Sequence, residues 1–292
     1  MQGDPRGKEA VMTFRRFEGD DGYVMVAALV FVALFASLAA STLSSTAGVN
    51  AQARTALHQL RSAALIDAGM ASAGYALFAD AKGGRPPSSS SLALDGGLVR
   101  IDIEDEAGRV DLNAADQELL AALYRVVVGG RLQPEVFAQA VVSWRETMHE
   151  RWPGGAGRPF REVGDLRRVA GIASADVERL LDHTTVFNPQ GGVDPLSAPL
   201  SLIAALPGMV QADLERLAAA RLMPNATAET VYAALSSPSR HLLSNQSGIF
   251  RVKIAARLES GHPREASAVL AASEEFSAGF GILAWYGEGT GR

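Results

Sequence analysis

The residues best suited to metal or proton-transfer chemistry are five histidines, His58, His149, His183, His241 and His262, and no two of them fall at ligand spacing. There is no cysteine, which excludes a thiolate nucleophile, a zinc ribbon, an iron–sulfur site and a disulfide scaffold. No HExxH, GxSxG or Walker sequence occurs. His183, beside Thr184 and Thr185, reads as a hydrogen-bonded structural histidine, and Trp144 and Trp152 read as core or interface rather than stacking platforms. No catalytic residue is assigned, and the chain is read as something other than an enzyme.

The chemistry suggested most strongly is chemistry done to the chain. From Gly22 to Ala53 there is no charged residue, and Tyr23–Ala40 is apolar except for Ser37. Eighteen residues at 1.5 Å each make roughly 27 Å of helix, the thickness of a hydrocarbon core. A buried globular helix keeps a polar stripe, and this run has none. It is longer than the apolar region of a cleaved secretory signal. A short polar leader ending in Gly22 abuts the run directly. Arg15 and Arg16 favour a cytoplasmic N-terminus, because orientation follows Lys and Arg rather than net charge. Either Met1 or Met12 fits as the start of the leader. The small residues Ala33, Ala36, Ala39 and Ala40 allow close helix–helix packing in lipid.

The remaining elements follow from periodicity. Leu43, Ala47, Leu57, Leu60, Ala64, Ala68 and Ala71 place one stripe on an outward helical continuation, so 23–80 reads as membrane span and stalk. Residues 81–97, rich in Gly, Pro and Ser, read as a linker. Leu98–Glu104 alternates as a half-buried strand, Glu106–Gly108 reads as a turn, and Arg109–Leu112 as a short return strand. Asp102, Glu104, Asp105 and Glu106 read as a solvated strand edge. Asn113 is the expected N-cap of a helix over 114–124, and a second helix over 134–147 presents Val136, Phe137, Ala140, Val141 and Trp144 on one face. Residues 160–186 read as helical with short turns. Gly171–Leu180 and Gly208–Leu217 match at an offset of 37, each a glycine turn opening a helix, which makes a duplicated hairpin rather than a solenoid. Residues 248–259 alternate cleanly, followed by a turn at 261–263, a partner strand over 265–273 and a last strand over 280–286. The fold class is α+β, with 98–112 and 244–292 supplying an antiparallel sheet and 113–243 a large helical insertion.

Five pieces run in order along the chain: Gly22 before the apolar helix, Ile103-Glu-Asp-Glu-Ala-Gly-Arg-Val-Asp-Leu-Asn113, Val142-Ser-Trp-Arg-Glu146, Phe160–Ile172, and Asp194-Pro-Leu-Ser-Ala-Pro199 leading into Ala205-Leu-Pro-Gly208. In these pieces and their order the chain resembles the K-type minor pseudopilins of the type II (general) secretion pathway. Pilin-like chains generally carry glutamate at the fifth mature position. Here it is Ala27, and this absence is a habit of the K type. The resemblance implies a pilin-like sheet carrying a helical insertion of the SAM or helix-hairpin-helix kind. It implies cleavage after Gly22 by a prepilin peptidase, methylation of the new N-terminus at Tyr23, and an inner-membrane protein with a periplasmic body. It implies a place at the pseudopilus tip. The implied partners are the I- and J-type minor pseudopilins, the major pseudopilin and the inner-membrane secretion platform. Some members carry calcium. Here Glu146 and Glu150 are the only acids between Trp144 and Phe160, too few for six to eight oxygen ligands, so no metal or other cofactor is expected.

The competing reading is a membrane-anchored helix-hairpin-helix protein that binds DNA. That motif needs a second glycine in each turn, where this chain has Ala173 and Val210. Asp165, Asp176, Glu178 and Asp182 offset the nearby arginines. The whole chain of 292 residues carries −5 with a pI near 5.6, so no basic footprint for nucleic acid is present and none is expected as a partner. Arginine outnumbers lysine 24 to 3 and alanine reaches 50 residues, a coding bias without mechanistic content.

Overall fold

The computed structural model describes residues 21–79, 88–94, 96–130, 132–151, 159–223, 226–259, 263–273 and 279–287, the side chains of 21, 22, 42–48 and 50 excepted. Leader residues 1–20 with Arg15 and Arg16, residues 81–87 and 95 of the expected linker, Trp152 and His262 lie outside the described residues. The chain divides into two units, Met1–Gln59 and Leu60–Arg292, and helix α1 (Asp21–Gly74) contributes to both.

In the first unit, Tyr23–Ser41 is apolar and none of it is buried. The hydroxyl of Ser37, in the middle of that run, donates to the Leu34 carbonyl at 2.8 Å. A hydroxyl partnered within its own helix costs little in hydrocarbon.

The second unit is α+β. Its sheet is antiparallel, in the order β1 (Ser89–Leu94), β2 (Gly97–Asp105), β5 (Ile249–Leu258), β6 (Arg264–Ala272), β7 (Phe280–Tyr286). Strict alternation fixes the register. Val99, Ile101 and Ile103 of β2 and Phe250, Val252, Ile254, Ala256 and Leu258 of β5 all turn to one buried face. The end of α1 covers that face with Leu65, Ile66, Met70 and Ala73. The helix comes closest at Gly69, where a Cβ would lie 2.8 Å from Val99 Cγ1 and 3.1 Å from Ile254 Cγ2. Beyond Gly74 a π-helical turn, Tyr75–Ala79, sets Phe78 against Phe280 and Phe250, at ring centroid distances of 5.8 and 6.0 Å.

Between β2 and β5 the chain builds the helical block: β3 (Val110–Asp111), α2 (Gln117–Val127), α3 (Pro134–Arg151), α4 (Ser174–Leu180), β4 (Thr184–Thr185), α5 (Leu200–Ala204), α6 (Gln211–Arg221) and α7 (Ala228–Ala234). Its own core is centred on Leu119, Leu120, Leu123, Tyr124, Phe137, Phe160 and Leu166, with Tyr124 stacked on Phe137 at 4.5 Å.

Several sequence expectations are corrected. The buried stripe of α1 is Ser62, Leu65, Ile66, Gly69, Met70 and Ala73, while Leu57, Leu60, Ala64 and Ala71 are exposed. Small alanines carry too little apolar area to fix the phase of a helix. The expected linker contains β1, since the serines at 89–91 can sit on an edge strand with polar side chains outward. Val110–Asp111 does not return along β2 but pairs in parallel with Thr184–Thr185. Residues 163–168 form a 3-10 turn, so 160–186 is less helical than expected. Asp116, not Asn113, caps α2, its Oδ1 accepting from Leu119 N at 2.9 Å. Val136 is exposed, and Ala138 joins Phe137 and Val141 on the buried face of α3.

Candidate functional site

The expected processing bond, Gly22–Tyr23, lies at the start of α1, with the Tyr23 side chain 78% exposed. Ala33, Ala36 and Ala40 share one face at spacings of three and four, Ala39 borders it, and all four are exposed. Ala27 lies off that face and is half-buried. A helix this apolar all round, with no protein covering it, is suited to lipid and to other helices of its kind.

In the body, the segments that carry the family resemblance meet one another. Asp111 Oδ1 accepts from Asn113 N and Ala114 N at 2.7 and 2.9 Å, and Oδ2 accepts from Asn188 N at 2.7 Å. The Asn113 side chain closes a reciprocal pair with the Phe160 backbone, both bonds 2.9 Å. Arg145, from the tryptophan segment, donates to the Leu112 and Ala115 carbonyls at 2.5 and 2.6 Å. Asp194 closes the next segment by accepting from Ser197 N at 3.0 Å and from the Ser197 hydroxyl. Each of these side chains satisfies backbone groups. Their work is to hold the block together, not to present a reactive group.

Of the acids at 102–106, Asp105 and Glu106 are buried rather than on a solvated edge, while Asp102 and Glu104 stay partly exposed. Glu106 is fully buried and accepts from Arg251 Nε and Nη2 at 3.0 and 2.6 Å and from Thr185 Oγ1 at 2.5 Å. Burial alone would push its carboxyl up, but the Arg251 fork and the nearby Arg109 outweigh burial and hold it below the ordinary glutamate range. Glu104 pairs with Arg109 and Lys253 at 2.5 and 2.9 Å. Arg251 also lies over the Tyr286 ring, 5.0 Å from its centroid. One buried ion pair thus joins β5, β7, the turn after β2 and the helical block. No spacing signal could find it, because Glu106 and Arg251 are 145 positions apart.

Both copies of the repeat are real turns. Gly171 and Gly208 take φ of +88° and +84°, a region open to glycine and strained for other residues, and each precedes a helix, α4 or α6. Their first-turn acids bond inward. Asp176 accepts from Tyr124 Oη at 2.7 Å, and Asp213 accepts from Ser236 N and Ser237 N at 2.9 and 3.2 Å. Arg167 pairs with Glu178, Arg179 donates to the Val128 carbonyl, and Arg221 donates to the Pro195 and Ala198 carbonyls. The turns serve packing.

The remaining sequence candidates are scattered. His183 is half-buried and joins the β3–β4 ladder through its carbonyl, which accepts from Val110 N at 3.0 Å. His241 is buried, with Asp116 Oδ2 3.6 Å from Nδ1 and Glu118 Oε2 3.4 Å from Nε2. Trp144 packs beside Phe160 at 6.4 Å. Glu146 and Glu150 are exposed on α3, and among the described residues no three carboxylates or imidazoles converge as metal ligands.

No family model matches this sequence, and no curated protein matches it either. Among solved structures, this chain is similar to a chain of the GspK–GspI–GspJ complex from the type 2 secretion system of enterotoxigenic Escherichia coli. Identity is 11%, the match covers 82% of this chain and 98% of that one, and the TM-score is 0.50. At 11% identity the likeness is one of overall fold.

Proposed function

We propose that this protein is a K-type minor pseudopilin of a type II secretion system, a structural component rather than an enzyme. The observation that carries the proposal is a conjunction. An apolar helix begins one residue after Gly22, and a body with the fold of a chain from a GspK–GspI–GspJ complex follows it. In this reading a prepilin peptidase cuts after Gly22, and Tyr23 becomes the methylated N-terminus. The span stays in the inner membrane with its N-terminus cytoplasmic and its body periplasmic. The alanine face at Ala33, Ala36, Ala39 and Ala40 packs against the span of a neighbouring subunit. The neighbours are the I- and J-type minor pseudopilins, with the major pseudopilin below and the secretion platform at the base.

Ala27 supports a place at the tip. Within a pilus-like fibre, a glutamate at the fifth position neutralises the terminal ammonium of the subunit ahead, where an unpaired charge is costly. A terminal subunit has no subunit ahead, so alanine is tolerated there. The decisive experiment is N-terminal sequencing of the membrane-extracted protein from cells with and without prepilin peptidase. The expected result is a mature start at Tyr23 that depends on the peptidase. A start near Ser41 would make the segment an ordinary signal, and an unprocessed chain in both strains would make it a plain anchor.

A further inference from the structure

The two edges of the sheet are built differently. Edge strand β1 meets its surroundings with Ser89, Ser90 and Ser91, all exposed and all able to bond water. Edge strand β7, Phe280-Gly-Ile-Leu-Ala-Trp-Tyr286, carries no charge and no proline. Among the described residues β6 pairs with one side of it and no strand pairs with the other. That other side is a row of backbone N–H and C=O groups open to a further strand.

A bulge decides which side chains β7 presents. Ile282 lies opposite Leu270 and Trp285 opposite Ala268, with a register shift between Val269 and Leu270. Strict alternation would send residues 282 and 285 to opposite faces. The extra residue, Leu283, turns both to one face. It is the face that α1 covers, since Leu270 and Ala268 belong to the core beneath that helix. Phe280 is packed there against Phe78. Helix α1 comes closest to β2 and β5 at Gly69 and reaches β7 at Gly74, against the Phe280 ring. Farther along β7, Ile282, Leu283 and Trp285 stay 50, 47 and 46% exposed. The apolar row thus runs out from under its helix.

An edge that must stay free is blunted by lysine, proline, an inward charge or a bulge. Here the first three are absent, and the bulge adds Trp285 to the apolar row. A helix laid over Ile282 and Trp285 would cover side chains and leave the backbone row unpaired. An added strand satisfies both. We propose that β7 is the docking edge for a strand of a neighbouring minor pseudopilin, which extends the sheet by one strand. This rests on the reading of the chain as a minor pseudopilin. The strand that fits is extended and uncharged, with apolar side chains at alternate positions to lie beside Ile282 and Trp285.

The test places a photo-crosslinking phenylalanine at position 282 or 284 of the full chain, in cells that carry the whole secretion apparatus. Ala284 lies opposite Val269, on the face away from α1. A strand paired along the edge straddles both faces, so both positions should crosslink to the same I- or J-type chain. Leu283→Lys, a charge placed on the edge, should lower recovery of that chain with this one about tenfold. The variant's body should melt within about 2 °C of the wild type in detergent micelles. Crosslinks from position 282 alone would mean a partner lying on one face and would overturn the proposal. Crosslinks to a second copy of this chain would overturn it too, as would undiminished recovery with Leu283→Lys. If neither position crosslinks while the chain starts at Tyr23 and the I- and J-type chains are recovered with it, the docking edge fails and the pseudopilin reading stands. A chain left uncut at Gly22 and recovered without them removes both.

Discussion

Two stretches of one helix solve opposite problems with similar residues. Tyr23–Ser41 is apolar on every side and none of it is buried. Leu65, Ile66, Met70 and Ala73 form a stripe on the sheet, with Arg61 and Asp67 exposed opposite it. The first stretch takes its stability from its solvent, the second from its fit. Apolar content alone therefore says nothing about burial here, whereas angular distribution separates the two.

That contrast can be attacked from both ends. The largest effect is expected from Ile66→Ala, which removes a buried side chain from the sheet face and should cost about 2–5 kcal/mol in equilibrium unfolding of the body. The matching truncation Val30→Ala in the span should leave that unfolding unchanged within about 0.5 kcal/mol. Equal losses from both would abolish the distinction. Next, Leu34→Arg should raise the apparent cost of membrane insertion by about 2.5–3.5 kcal/mol, read as loss of protein from carbonate-washed membranes. Ala64→Arg, on the exposed side of the packed stretch, should leave membrane retention intact. The smallest effect is expected from Gly69→Ala. Its methyl would press on Val99 and Ile254 and should cost about 1–3 kcal/mol, sharpening how closely helix and sheet approach. A neutral or stabilised Gly69→Ala protein would show that the helix can lift away.

The same contrast marks what could be read in the sequence. Strands β2 and β5 announced themselves because one face is buried and a one-residue slip would expose it. The duplicated hairpin was legible because each copy needs glycine in a left-handed turn. The stripe of α1 was traced out of phase, since an apolar span carries no phase to extend. Strand β1 was hidden in a serine run whose side chains face outward. Asn113 looked like a cap but serves Phe160, a partner 47 positions away. The acids at 102–106 looked solvated because local sequence does not show Arg251, Thr185 or Ser247. The partners of a buried polar group are set by tertiary structure, and a one-dimensional pattern does not record them.

The pairing of β2 with β5 has a consequence for how such a chain can grow. Asp105 lies opposite Phe250, so 144 residues hang from what is topologically a hairpin. The entropy of closing a loop rises only with the logarithm of its length. Replacing a four-residue turn by this block adds about 3 kcal/mol to closure. A block with its own core, centred on Tyr124 and Phe137, can offset that much itself. The sheet therefore tolerates a cargo larger than itself at this one turn, and the cargo can change in size or surface while the strands keep their register.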